Sequence, residues 1–210
     1  MDKIVANHFM NIMIRYLYFF FFLFFIHAEN QNEAASHARF LVENQIKGSF
    51  STLSISNDFA LASLEDCSQS FSRDGNLIFL LADISKVAEN LKKNPTGSFL
   101  LSADNCSSYD YDHLPYDPLA CARVSFSGEF KMLQLPLDNK NKNYLNFIEK
   151  HPAAYYWINY SPHNFHLWTL DIKEIYYVGG YGNLHYIGTI DVDLYQQSQP
   201  TPPSLKIIDH

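Results

Sequence analysis

Hydrophobic and polar positions repeat with two different periods along this chain, and the changes between them lay out its elements. Residues 77–81 (LIFLL) form an apolar run too short for a helix and bounded by polar residues, which predicts a buried strand. Asp83 or Ser85 then offers a side-chain oxygen to the free N–H groups of a helix start. Val87, Ala88 and Leu91 share one face of that helix, with Lys86, Glu89, Lys92 and Lys93 on the other. Asn94-Pro95 ends it, because the residue before a proline is pushed out of the helical region. A second apolar strand follows at residues 98–101. The central unit is therefore strand, short amphipathic helix, strand.

The same reading extends both ways. Residues 32–47 repeat Ala34, Ala38, Leu41, Val42 and Gln45 on one helical face, with Gly48 as a stop. Strands are expected at 50–56 and 59–64, joined by a turn at Asn57-Asp58. The polar stretch 65–72 and the turn 73–76 (RDGN) lead into the strand at 77. Residues 103–120 carry prolines, serines and acids, the composition of a long loop. A long strand is expected at 121–135 with a bulge or bend at Gly128. A helix capped by Asp138 should run to Lys150, burying Tyr144, Phe147 and Ile148, with a short aromatic turn at Tyr155, Tyr156 and Trp157. Two strands, 165–170 and 174–178, precede a glycine turn at 179–182 and a short extension to Ile190. The expectation is a mainly β domain with peripheral helices.

Composition changes this picture at its two ends. Residues 16–26 (YLYFFFFLFFI) are apolar and uncharged behind the basic Lys3 and Arg15, and Ala28 is small enough to precede a cleavage point. Residues 1–28 thus read as a secretory signal peptide; a retained anchor would need about 20 apolar residues. Roughly 180 residues would remain, enough for one core. The domain is expected at 29–190, with a polar, proline-rich tail at 191–210. The formal charge of −7 supplies no basic stripe for displacing phosphate counterions, which argues against a nucleic-acid partner. A cleaved signal leaves no stable membrane insertion, and secreted, extracellular or endolysosomal residence is expected.

In such a compartment Cys106 and Cys121 can close the long loop, leaving Cys67 as a buried thiol or an intermolecular link; three unpaired thiols is the rival reading. Asn105-Cys106-Ser107 is a glycosylation acceptor. Asn159-Tyr160-Ser161 is another, made poorer by Pro162, while Asn94 is excluded by Pro95. Asp104, Asp110, Asp112, His113 and Asp117 crowd one loop, but without the glycine and distal glutamate of a calcium loop they read as solvated acids. His163 and His166 lie three apart, on opposite sides of a strand, so joint metal ligation is disfavoured. His166 stands as a lone candidate for an axial haem ligand. The turn at 179–182 opens no helix and so is no phosphate cradle. No serine, cysteine or carboxylate has the neighbours of a nucleophile, and no catalytic residue or metal site is assigned.

Four stretches, FSTLSISNDFALASLED, SKVAENLKKNPTGSFLLS, DPLACARVSFSGEF and DIKEIYYVGGYG, in this order and spacing, resemble the FMN-binding split β-barrels of the pyridoxamine 5′-phosphate oxidase superfamily. Within it they are most similar to the CREG-type β-barrel glycoproteins, over about 34–190. The resemblance implies a Greek-key-like split barrel and a homodimer, with any cofactor groove between subunits. It places the flavin-phosphate contacts at Ser85 and Lys86, where Val87 replaces the next basic residue of the oxidase pattern and residues 59–64 lack its arginine and lysine. One lysine and a helix start make a thin phosphate site beside several arginines. The expectation is a secreted or endolysosomal glycoprotein acting as a non-catalytic binding or regulatory module, with a glycoprotein receptor as a partner and no cofactor. The alternative is an FMN-dependent oxidoreductase, with haem behind FMN.

Overall fold

The computed structural model describes residues 28–57, 59–103, 121–160, 162–180 and 184–203. Among them are five helices and seven strands: α1 (Gln31–Asn44), β1 (Lys47–Leu53), β2 (Ala60–Gln69), β3 (Leu77–Ala82), α2 (Lys86–Lys93), β4 (Thr96–Ser102), β5 (Arg123–Met132), α3 (Lys142–Lys150), α4 (Ala154–Tyr160), β6 (Phe165–Val178), β7 (Ile187–Ile190) and α5 (Val192–Gln197). The strands run β3-β2-β1-β4-β5-β6-β7, and β3 also pairs with β6. Six antiparallel strands thus close into a barrel, with β7 as an extra edge on β6. Closure removes the unpaired edges that an open sheet of these strands would present.

Inward positions alternate with outward ones, and the inward set fills the barrel. Phe50, Phe79, Phe99 and Phe130 meet there, the Phe50–Phe130 centroids 4.3 Å apart and the Phe79–Phe99 pair edge-to-face at 4.7 Å. The small face of α1, Ala34, Ala35 and Ala38, joins the same core. The start of α1 is fixed by Asn30, whose side chain accepts from the Glu33 N–H while Glu33 reaches back to the Asn30 N–H. A second apolar cluster lies outside β3 and β6, where Tyr144, Phe147 and Ala154 of α3 and α4 cover Ile78, Leu80 and Leu167.

The strand-helix-strand unit is as expected, and Ser85 is its cap: the hydroxyl accepts from the Ala88 N–H at 3.1 Å. Several boundaries move. β2 continues through 65–69, read as polar loop, because Cys67 and Ser68 are buried there in pairing with β3. α3 is capped by Asn141 rather than Asp138; the Asp138 carboxylate instead accepts from the Lys140 N–H. β6 is one strand, not two. The register shifts opposite Ser127 and Gly128, so Lys173 is the extra residue that lets a long strand bend and continue. Gly128 sits at that bend because a Cβ would run into the Asp171 carbonyl.

The domain also passes the boundary expected at 190. Asp191 caps α5, and Tyr195 is wholly buried, its hydroxyl donating to the Gly75 carbonyl at 2.7 Å. The Arg39 guanidinium donates to the carbonyls of Tyr195 and Gln196 and ties this last helix to α1. Of the expected tail, 191–197 therefore belongs to the packed domain.

Candidate functional site

The flavin-phosphate positions implied by resemblance lie at the turn between β3 and α2. This turn is fixed by strand pairing beneath it: Ala82 faces Phe165, and the Asp83 N–H donates to the Asn164 carbonyl. Ser85 and Lys86 are indeed adjacent at the helix start. The Ser85 oxygen is occupied with its own helix, and Lys86 Nζ lies 2.8 Å from Glu89 Oε2. Both members of that pair are about half exposed. The pairing holds the Glu89 carboxyl below the usual range.

Asp83 dominates the other side of the turn. Its Oδ1 lies 2.5 Å from Lys92 Nζ and its Oδ2 3.4 Å from His166 Nε2. The Lys92 hydrogen bond, with His166 adding to it, holds the Asp83 carboxyl below its ordinary value. An incoming dianionic phosphate would therefore meet a hydroxyl already accepting a helix N–H, a lysine already paired, and two ionised carboxylates. Like charges at close range cost free energy rather than supply it. Val87, where a second basic side chain is needed, is buried on the inner face of α2. The residues present do not fit a flavin phosphate.

His166 is half-exposed, and its Nε2 faces Asp83 rather than an apolar slot. His163 lies before the start of β6, so the two histidines do not act as a pair on that strand. Among the described residues no group of three His, Cys, Asp or Glu side chains could hold a metal ion. Asp104, Asp110, Asp112, His113 and Asp117, with Asn105 and Cys106, fall outside the described residues. Cys121 is disulfide-bonded and Cys67 is a free, buried thiol. Asn159 is exposed on α4.

A different polar centre was not legible beforehand. Glu29, almost wholly buried, contacts His37 Nδ1 at 2.6 Å and His185 Nδ1 at 3.7 Å, and accepts from the Tyr186 N–H at 2.8 Å. The Tyr177 hydroxyl lies 3.4 Å from the same His37 nitrogen. Burial alone would push the Glu29 carboxyl up; the hydrogen bonds from His185, His37 and the Tyr186 N–H outweigh it and bring it down to about 2. Gly179 is required beside it, since a Cβ there would collide with Glu29 Oε2. Gly179, at the start of the expected glycine turn, thus serves as the seat of a buried carboxylate. Only the unusual doubling of glycines after β6 hinted at it in the sequence.

Residues 29–197 match the family model described as CREG, beta-barrel. The chain belongs to the CREG β-barrel family. No curated protein matches it significantly in sequence. Among solved structures, the CREG barrel here is similar to a heme binding protein from Mycobacterium smegmatis, with 24% identity, a TM-score of 0.65 and coverage of 80% of this chain. The chain spans 61% of that protein's length. It is also similar to a Clostridium acetobutylicum protein related to general stress protein 26, of the pyridoxinephosphate oxidase family, with 14% identity and a TM-score of 0.54; the match covers 78% of this chain and 98% of that one. These likenesses establish the split-barrel fold and nothing finer.

Proposed function

We propose that this CREG barrel is a non-catalytic binding or regulatory module, working as a secreted or endolysosomal glycoprotein and as a homodimer that engages a glycoprotein receptor. The observation that carries the non-catalytic part is the charge arrangement at the start of α2. Glu89 pairs with Lys86, the one cation at the phosphate position, and Asp83, paired with Lys92, adds a second carboxylate at the same turn. The position of the barrel in the CREG family, the apolar run at 16–26 and the acceptor at Asn105 support the secretory part.

The homodimer finds support in the outer barrel wall. The pairing register places Leu64, Ser49, Leu100, Ser125 and Tyr176 in one row across five strands. Leu64, Leu100 and Tyr176 are exposed, and the neighbouring row, Ala62, Ser51, Ser98 and Ser127, has small side chains until it reaches the exposed Glu174 on β6. Leu100, in the middle of that row, is an exposed apolar side chain among small neighbours that a second copy can cover.

One observation favours the second reading, a haem- or flavin-dependent oxidoreductase: the barrel shares its fold with the mycobacterial heme binding protein, and His166 is accessible beside Asp83. An absorption spectrum of the purified protein, repeated after incubation with FMN and with haemin, decides between them. A featureless visible spectrum that stays additive with each compound is expected. A bound flavin band near ~450 nm or a shifted Soret band near ~400 nm would overturn the non-catalytic reading, because the cofactor carries that chemistry.

A further inference from the structure

Helix α4 carries an aromatic face that its own packing does not use. Ala154 is fully buried and Ile158 packs against the cluster outside β3 and β6. On the other side Tyr155, Tyr156, Trp157 and Tyr160 are all exposed, Tyr160 to 76%. The rings are already arranged against one another: Tyr155 meets Tyr156 edge-on at 5.7 Å, and Tyr156 stacks on Tyr160 at 6.1 Å with 24° between planes. Four large aromatic side chains left open on one turn and a half of helix form a contiguous patch of the kind that is normally covered.

Asn159 stands inside that patch. It is four residues after Tyr155 and three after Tyr156, so it shares their face, and it adjoins Tyr160 in sequence. It is also the first residue of the acceptor Asn159-Tyr160-Ser161. Its Nδ2 donates to the Tyr155 carbonyl at 2.7 Å. The nitrogen that would be modified is thus held over the Tyr155 backbone, on the helix face that Tyr155 and Tyr156 share.

We propose that Asn159 carries an N-linked glycan whose first sugar lies on the Tyr155–Tyr156–Tyr160 platform and closes it to protein partners. The proposal rests on the secretory reading above. In the transfer, Asn159 Nδ2 attacks the anomeric carbon of a lipid-linked oligosaccharide diphosphate. The new C–N bond forms as the C–O bond to the diphosphate breaks; the diphosphate leaves with that electron pair, and the amide gives one of its two protons to a base. One N–H remains on Nδ2 and continues to donate to the Tyr155 carbonyl. The C–H face of the sugar then covers the tyrosine rings, replacing water on an apolar surface. Covalent attachment supplies a high effective concentration, so even a weak stacking contact stays made. The platform lies apart from the centre of the dimer row: α4 packs by Ile78, Leu80 and Leu167 of β3 and β6, whereas Leu100 and Ser125 lie on β4 and β5.

The test is expression in an N-glycosylating eukaryotic host, followed by glycopeptide mass spectrometry and thermal melting. Asn159 is expected to be occupied in part of the material, since Pro162 slows its acceptor, and Asn105 more fully. In an Asn105→Gln background, enzymatic removal of the Asn159 glycan should lower the melting temperature by about 2–4 °C. In Tyr156→Ser/Tyr160→Ser the same removal should leave it unchanged. Asn105 occupied with Asn159 bare would overturn the proposal and leave the secretory reading standing. Neither site occupied would overturn both. An Asn159 glycan whose removal shifts the wild type and the double variant equally would show that the sugar does not use the platform.

Discussion

His37 Nδ1 lies 2.6 Å from Glu29 Oε1, and both side chains are almost fully withdrawn from solvent. With His185 and the Tyr186 N–H on the second carboxylate oxygen, Glu29 ties the entry of α1 to the turn between β6 and β7. Its carboxyl titrates at about 2 in the folded protein against an ordinary 4.5. A depressed carboxylate contributes stability that is present above the unfolded value and is lost as the pH falls through the folded one. The contribution therefore persists from neutral pH down to about 4.5, the range of an acidic organelle, and fades between there and 2. Glu29→Gln should destabilise by the order of 2–3 kcal/mol at pH 7. Melting curves of wild type and variant should stay separated at pH 7 and pH 5 and converge towards pH 3. A gap that widens on acidification would contradict this sign.

A second prediction concerns Asn90, a polar residue wholly buried on the inner side of α2. Its amide nitrogen donates to the Thr52 hydroxyl at 2.9 Å and its oxygen accepts from the Ile55 N–H at 3.3 Å, locking the helix to the end of β1. Asn90→Ala strands the buried Thr52 hydroxyl and the partly buried Ile55 N–H and should cost about 2–3 kcal/mol. Because a lone buried hydroxyl is worse than none, adding Thr52→Val should recover part of that loss. Chemical denaturation of the two variants measures this directly. A double variant weaker than the single one would show that Thr52 has other work.

The thiols can be counted. Burial pushes the Cys67 thiol up to about 12, so it has almost no thiolate to offer a reagent at neutral pH. With Cys121 in a disulfide, proposed to be with Cys106, an aromatic disulfide reagent should find no thiol in the native protein. It should find one after denaturation, and three after denaturation with reduction. Reductant should lower the melting temperature, by closure of a loop worth roughly 3 kcal/mol, and Cys121→Ala should lose that sensitivity. Three reactive thiols without reduction would remove the bridge.

The barrel was largely legible because its cues are local and periodic. The run at 77–81, the amphipathic turn from Lys86 to Lys93 and the alternation along β5 each declare themselves within a few residues. What escaped depends on contacts across the chain. The apparent break between 170 and 174 is healed by a bulge at Lys173 that only the partner strand β5 makes sensible. α5 looked like tail because six residues carry too little pattern, and its one decisive residue, Tyr195, is held by Arg39 and Gly75 from distant elements. The site followed the same rule. Ser85 and Lys86 were placed by motif, but the Ala88 N–H on the one and Glu89 on the other decide what they can bind. Glu29, His37 and His185 share no spacing that marks them, being brought together by closure of the domain.

The last prediction separates two aromatic surfaces that looked equivalent in the sequence. Tyr155, Tyr156, Trp157 and Tyr160 crowd one segment of the sequence, and Tyr176, Tyr177 and Tyr181 another. Tyr177 is instead buried in the core, and Tyr181 lies outside the described residues. Tyr176 remains, on the outer wall beside Ser125 and Thr189, in the row that includes Leu100. An exposed leucine on the outer face of β4, flanked by Ser49 and Ser125, is where a two-fold contact can bury apolar surface with little rearrangement. A charge placed there would be buried without a partner in a dimer, yet would face water in a monomer. Leu100→Glu should therefore leave the melting temperature of the monomer within about 1–2 °C and abolish pairing. Sedimentation at micromolar concentration should give a wild-type species near twice the glycosylated monomer mass and a monomer for the variant. Tyr156→Ser should remain dimeric. If the wild type sediments as a monomer, the dimer falls; if Tyr156→Ser dissociates it while Leu100→Glu does not, the interface belongs to α4 and the barrel wall is free.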